Sequence, residues 1–128
     1  MYAIDTNILV RWLVQDNPEQ TKKVLNLFKR GDVMWISLIV LVEFYWVCCS
    51  CYKLKTLDII TSIENLLSVD VVSVENIDAV RMAINSFHNG NGDFVDLLIC
   101  SLAKVFNYCP VFTFDKNAGT KSDLFEIL

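Results

Sequence analysis

The stretch Val33-Met34-Trp35-Ile36-Ser37-Leu38-Ile39-Val40-Leu41-Val42-Glu43-Phe44 lies in a run where Glu43 is the only charge between Asp32 and Lys53. How this run is divided decides the fold. As one apolar span it is long enough to cross a bilayer, with the charge costing about 2.5–3.5 kcal/mol at the membrane centre. Divided at Ser37, it becomes a buried strand over residues 33–36 and a buried helix from Leu38 to about Cys51. Ser37 is then a good N-cap for that helix. The division explains the whole run without a membrane, and no membrane association is expected.

The same alternation extends in both directions. Residues 2–4 read as a buried first strand ending at Asp5, with Thr6 or Asn7 capping a short helix through Leu13. Asn17-Pro18 supplies a cap and a proline at the first helical position, and Gly31 stops that helix. Thr56 is expected to cap a helix with Leu57, Ile60, Ile63, Leu66 and Leu67 on one face. A third strand is placed at 69–72 and a helix at 75–87. The turn residues 88–92 lead to a helix at 93–106, a fourth strand at 111–114 and a short final strand at the tail. Strands alternating with helices predict an α/β fold, with helices on both faces of a mostly parallel central sheet.

Composition sets the outer bounds. At 128 residues the chain is expected to form a single domain, residues 1–128, and 54% hydrophobic content supplies a core and argues against disorder. A formal charge of −4 argues against a surface that grips nucleic acid all over. The five cysteines are an odd number with no signal peptide ahead of them, which predicts a reducing, cytoplasmic setting. Cys48-Cys49-x-Cys51 has no second cysteine pair and no paired histidines, so it reads as small apolar residues on a buried helix rather than a soft metal site.

Five acids stand where a parallel sheet would gather them: Asp5, Glu43, Asp93, Asp96 and Asp115. In open α/β sheets ligands bind outside the carboxyl ends of the strands. Carboxylates crowded there need a cation or a proton between them. Each acid also has a plainer use. Asp5 can cap a helix, Asp93 suits a helix N-terminus, and Asp115 suits a turn. Glu43 is harder to explain, because Ile39, Val40, Trp46 and Val47 surround it at helical spacing, and a carboxylate on such a face should be paired, protonated or bound to a cation.

Hard oxygen donors, one histidine and no cysteine quartet point to Mg²⁺ or Mn²⁺ rather than zinc or copper. Such a site polarises a phosphoryl oxygen and activates water, with room for two ions about 3.5–4 Å apart. That chemistry is phosphodiester hydrolysis. A haloacid-dehalogenase-type phosphatase would need a second Asp two residues after Asp5, where Asn7 stands. A nucleic-acid- or protein-binding module with an inactive form of the fold is the alternative from another class.

On Ile4-Asp5-Thr6-Asn7-Ile8-Leu9, Ile36-Ser37 through Val42-Glu43, Gly92-Asp93-Phe94-Val95-Asp96-Leu97-Leu98-Ile99 and Thr113-Phe114-Asp115, the chain resembles the PIN domain ribonucleases, most closely the VapC-type toxins of toxin–antitoxin pairs. The resemblance implies a compact α/β/α fold and a Mg²⁺- or Mn²⁺-dependent endoribonuclease acting on RNA. It also implies a homodimer inhibited by a cognate antitoxin protein. It makes Asp5, Glu43 and Asp96 the principal acids and Asp115 the more variable fourth, all four catalytic and metal-binding. Asp93 matches an additional metal acid, and Thr6 and Asn7 match a polar pair that orients Asp5 or the substrate phosphate. One departure is Asn91-Gly92 before Asp93, where the family commonly has alanine; it is expected to affect loop mobility more than ligand identity.

Overall fold

Tyr2 and Ala3 are too few to make a strand alone, so the first strand exists only through its pairing with the second. A computed structural model describes residues 1–121 and 123–128, the side chains of 119–121 excepted. Its elements run β1 (Tyr2–Ala3), α1 (Thr6–Val14), α2 (Pro18–Lys29), β2 (Met34–Ile36), α3 (Leu38–Ser50), α4 (Thr56–Leu67), β3 (Val72–Val74), α5 (Ile77–His88), α6 (Phe94–Val105), β4 (Val111–Thr113), α7 (Lys116–Lys121) and β5 (Phe125–Ile127). They form an α/β fold in two compact units, Met1–Glu75 and Asn76–Leu128.

In the first unit β1, β2 and β3 form a parallel ladder in that order, with Tyr2 opposite Met34 and Met34 opposite Val72. Parallel neighbours need crossover connections. Here α1 and α2 return the chain from β1 to β2, and α3 and α4 return it from β2 to β3. Met34 and Ile36, on the central strand, are fully buried. Around them α3 buries Leu41, Phe44, Tyr45 and Cys48, and α4 buries Ile59, Ile60, Ile63 and Leu66. Full burial of each such side chain contributes roughly 1.5–3 kcal/mol. Trp12 stacks on Phe28 with ring centroids 4.0 Å apart, closing the α1–α2 hairpin.

In the second unit α5 and α6 pack along each other through Ala79, Val80, Ala83 and Ile84 on one and Phe94, Leu97, Leu98 and Cys100 on the other. β4 and β5 make a two-stranded parallel ladder, Val111 opposite Phe125, with α7 as the crossover. The tail strand expected from the sequence is therefore present.

The division at Ser37 is observed. Its hydroxyl accepts from Val40 N at 3.2 Å, and α3 begins at Leu38. At 13 residues α3 is about 20 Å long, and among the described residues no helix is long and apolar enough to cross a membrane. Four local expectations are corrected. Asp5, not Thr6 or Asn7, caps α1, because its extended backbone brings a carboxylate oxygen 3.1 Å from Ile8 N. Lys55 holds the N-cap position of α4, without a side-chain bond, and Thr56 is already helical. The third strand lies at Val72–Val74, because Val72 N donates to Val69 O and closes residues 69–72 into a turn. α5 starts at Ile77, two residues later than expected, behind Asn76 in the left-handed region at φ 47°.

All five cysteines are free. Burial is the main cause that pushes the Cys48 thiol up to about 11 and the Cys100 thiol up to about 12, so neither is a thiolate near neutrality. A disulfide-exchange reagent at pH 8 should label the exposed Cys51 and Cys109 fast, and Cys48 and Cys100 only after denaturation. Rapid labelling of Cys48 in the folded protein would contradict the packing of α3.

Candidate active site

Three of the five acids singled out from the sequence, Asp5, Asp93 and Asp115, are held by a local backbone need. The first backbone N–H groups of a helix have no intrahelical acceptor, and side-chain oxygens supply one. Asp5 does so for α1 through a single carboxylate oxygen, and its side chain is exposed. Asn7 is also exposed and lines the same cleft as Asp5, whereas Thr6 is half-buried. Asp5's bond runs to a backbone N–H rather than to either of these neighbours.

Glu43 departs from expectation. Its side chain is exposed, and so are Ile39 (73%) and Trp46 (55%) at helical spacing on the same face. The buried stripe of α3 is the opposite one. Apolar residues run right around this helix, so spacing could not select the buried face. The premise that burial forces Glu43 to find a partner therefore fails, and its chemistry must be argued from the motif instead.

The second unit draws three acids together. Asp93 caps α6, its Oδ2 accepting from Val95 N at 3.2 Å, and Asp96 follows one turn later, half-buried. Asp115 follows β4 and accepts with one oxygen from both Asn117 N (2.9 Å) and Ala118 N (3.3 Å), fixing the start of α7. All three line one cleft of about 230 Å³, together with Asn91, Gly92 and Asn117. Gly92 sits at φ +142°, a conformation that L side chains rarely adopt, so the glycine before Asp93 has a backbone reason.

Crowding shows in Asp96. Its carboxyl is raised above the ordinary range, by burial first and then by the charges of Asp93 and Asp115. A divalent cation would relieve both causes, and three carboxylates offer the hard oxygens that Mg²⁺ or Mn²⁺ takes. The donor chemistry fits, although among the described residues no group of three or more His, Cys, Asp or Glu side chains is arranged to hold a metal ion. The cysteine run offers no alternative, since Cys48 is buried on α3 and Cys51 is exposed just past its end.

Sequence reasoning missed two polar residues. Glu75, placed at the start of a helix from its sequence, instead accepts Leu38 N at 2.9 Å and caps α3 beside Ser37. Asn117 lines the acidic cleft, and its position two residues after Asp115 in a turn was the available signal. The family model described as PIN domain matches residues 2–121 of the chain. Comparison with curated proteins finds no match.

The Asp96 shift has a stability consequence in metal-free protein. A carboxyl raised in the folded state holds its proton longer there than in the unfolded chain, so stability falls as pH rises through that window. In chelator at pH 7, Asp96→Asn should melt at or above the wild-type temperature. The gap should close once pH falls below the ordinary Asp value of about 3.9. A lower Tm for the variant at pH 7 would mean that the carboxylate is held by favourable contacts rather than crowded.

Proposed function

The chain belongs to the PIN domain family, and on that premise we propose that it is a divalent-metal-dependent endoribonuclease, the toxin of a type II toxin–antitoxin pair. Nuclease chemistry on nucleic acid is the coarse assignment that family membership supports. The finer reading adds RNA as substrate, Mg²⁺ or Mn²⁺ as cofactor, a homodimer, a cytoplasmic setting and a cognate antitoxin protein as inhibitor. Residues 1–128 are taken as one PIN domain. The observation that carries the proposal is the convergence of Asp93, Asp96 and Asp115 on one cleft.

In this reading Asp5, Glu43 and Asp96 hold the principal ion, and Asp115 and Asp93 help at a second, weaker position. The motifs that support the assignment stand in the family's order along the chain. When bound, the ion would polarise a phosphoryl oxygen and make a nearby water a better nucleophile. The protein's own contribution is placement. The cap bonds fix Asp5, Asp93 and Asp115 against the starts of their helices, and half-burial of Asp96 excludes part of its water. Asn7, exposed beside Asp5, supplies an amide that can donate to a substrate phosphate.

The cap bonds also favour a second reading. An inactive binding module needs Asp5, Asp93 and Asp115 for its helices alone. Amide substitution separates the two readings, because Asn caps a helix about as well as Asp. Calorimetric titration of Mn²⁺ should give a binding isotherm with wild type that disappears in Asp96→Asn. Asp5→Asn should stay folded while losing RNA cleavage. An active Asp5→Asn protein would sink the ligand assignment, and wild-type protein that binds no Mn²⁺ would favour the inactive module.

A further inference from the structure

A second cleft, of about 290 Å³, lies between α1 and α2 of the first unit, lined by Asp5, Asn7, Arg11, Gln20 and Lys23. We infer that this cleft takes a backbone phosphate of the RNA strand and that Lys23 is its contact, an inference that rests on the nuclease reading above.

The two cations of the cleft are differently engaged. Arg11 is half-buried and immobilised. Its Nη1 donates to Asp16 at 2.8 Å and to Tyr52 Oη at 3.1 Å, and its Nε donates to Gln20. Those bonds join α1, the loop after it, the start of α2 and the chain just beyond α3, so Arg11 is a positioning residue that fixes the cleft walls. Its charge is answered by Asp16. Among the described residues Lys23 has only a loose neighbour, Glu19 at 3.9 Å, and both side chains are more than three-quarters exposed. Such a pair contributes little and is easily exchanged for a phosphate. A lysine ammonium accepts phosphate as a point charge, without a fixed fork.

The charges of the cleft fit a strand passing the site: a carboxylate suited to a cation and an ammonium suited to a phosphate line the same cleft. The contact is sequence-independent and serves to hold register.

The test compares Lys23→Gln with Lys22→Gln, a neighbouring exposed lysine that does not line the cleft. The probe is a single-stranded 20-mer carrying the bond that wild type cuts in total RNA with Mn²⁺. Lys23→Gln should raise KM about threefold to fivefold at 50 mM salt with kcat unchanged, and should reduce the log–log salt slope by about 0.7. Trimming the probe one nucleotide at a time from one side of the cut should erase the difference from wild type at a definite length; a merely structural role would leave it in place at every length. Equal kinetics for Lys23→Gln and Lys22→Gln would overturn the inference and leave the nuclease reading intact. Wild type that cuts no RNA would overturn both.

Discussion

The backbone N–H groups at helix starts organise this protein more than any one packing contact. Its strands are two or three residues long, so the chain enters a helix almost as soon as it leaves a ladder. Each such entry exposes donors that nothing in the helix can accept. Asp5 meets that need after β1, Ser37 with Glu75 after β2, and Asp115 after β4. Parallel strands put these entries at their carboxyl ends, where open α/β sheets bind ligands. Within each unit the fold therefore places acids at the carboxyl ends of its strands before any chemistry is considered.

Capping and crowding pull in opposite directions. One carboxylate at a helix start is stabilising by roughly 0.3–1 kcal/mol. A second and third beside it are not, as the raised carboxyl of Asp96 records. Asp93 and Asp115 have cap bonds to offset their charge, whereas Asp96 lies past the cap, half-buried and leading into Leu97 and Leu98. The fold has no evident use for a charge at that position. Of the five acids, Asp96 is thus the one whose charge the fold itself opposes most plainly.

How far the sequence could be read follows from the kind of signal each element carried. The strand–Ser–helix division at residues 33–51 was legible because a cap residue interrupts an apolar run, and that one residue outweighed the hydropathy. Asn17-Pro18 was legible for the same reason, and Asn17 does cap α2 through Gln20 N. The third strand was misplaced because Val69, Val71, Val72 and Val74 offer two possible registers; the turn that ends α4 chose the later one. The six-residue α7 was not foreseen, since so short a helix has no apolar period to display. Glu75 was invisible as a cap because its partner, Leu38, is 37 residues away. For the acids, the motifs singled out five candidates, of which Asp93, Asp96 and Asp115 line one cleft, but an all-apolar helix hid which side of α3 Glu43 occupies.

The cap positions also decide what the acids can say about chemistry. Asn, Ser and Asp serve comparably as N-caps, and this chain uses Asn17 and Ser37 for that purpose elsewhere. Helix capping alone therefore accounts for a polar residue at positions 5, 93 and 115, but not for Asp at all three. In the second unit the choice of Asp adds charge where Asp96 is already crowded. An amide at position 93 or 115 would cap as well and relieve that crowding. The fold explains where the side chains are: at positions 93 and 115 an Asp gains the favourable charge interaction of a helix start that an amide lacks, while adding to the crowding at Asp96.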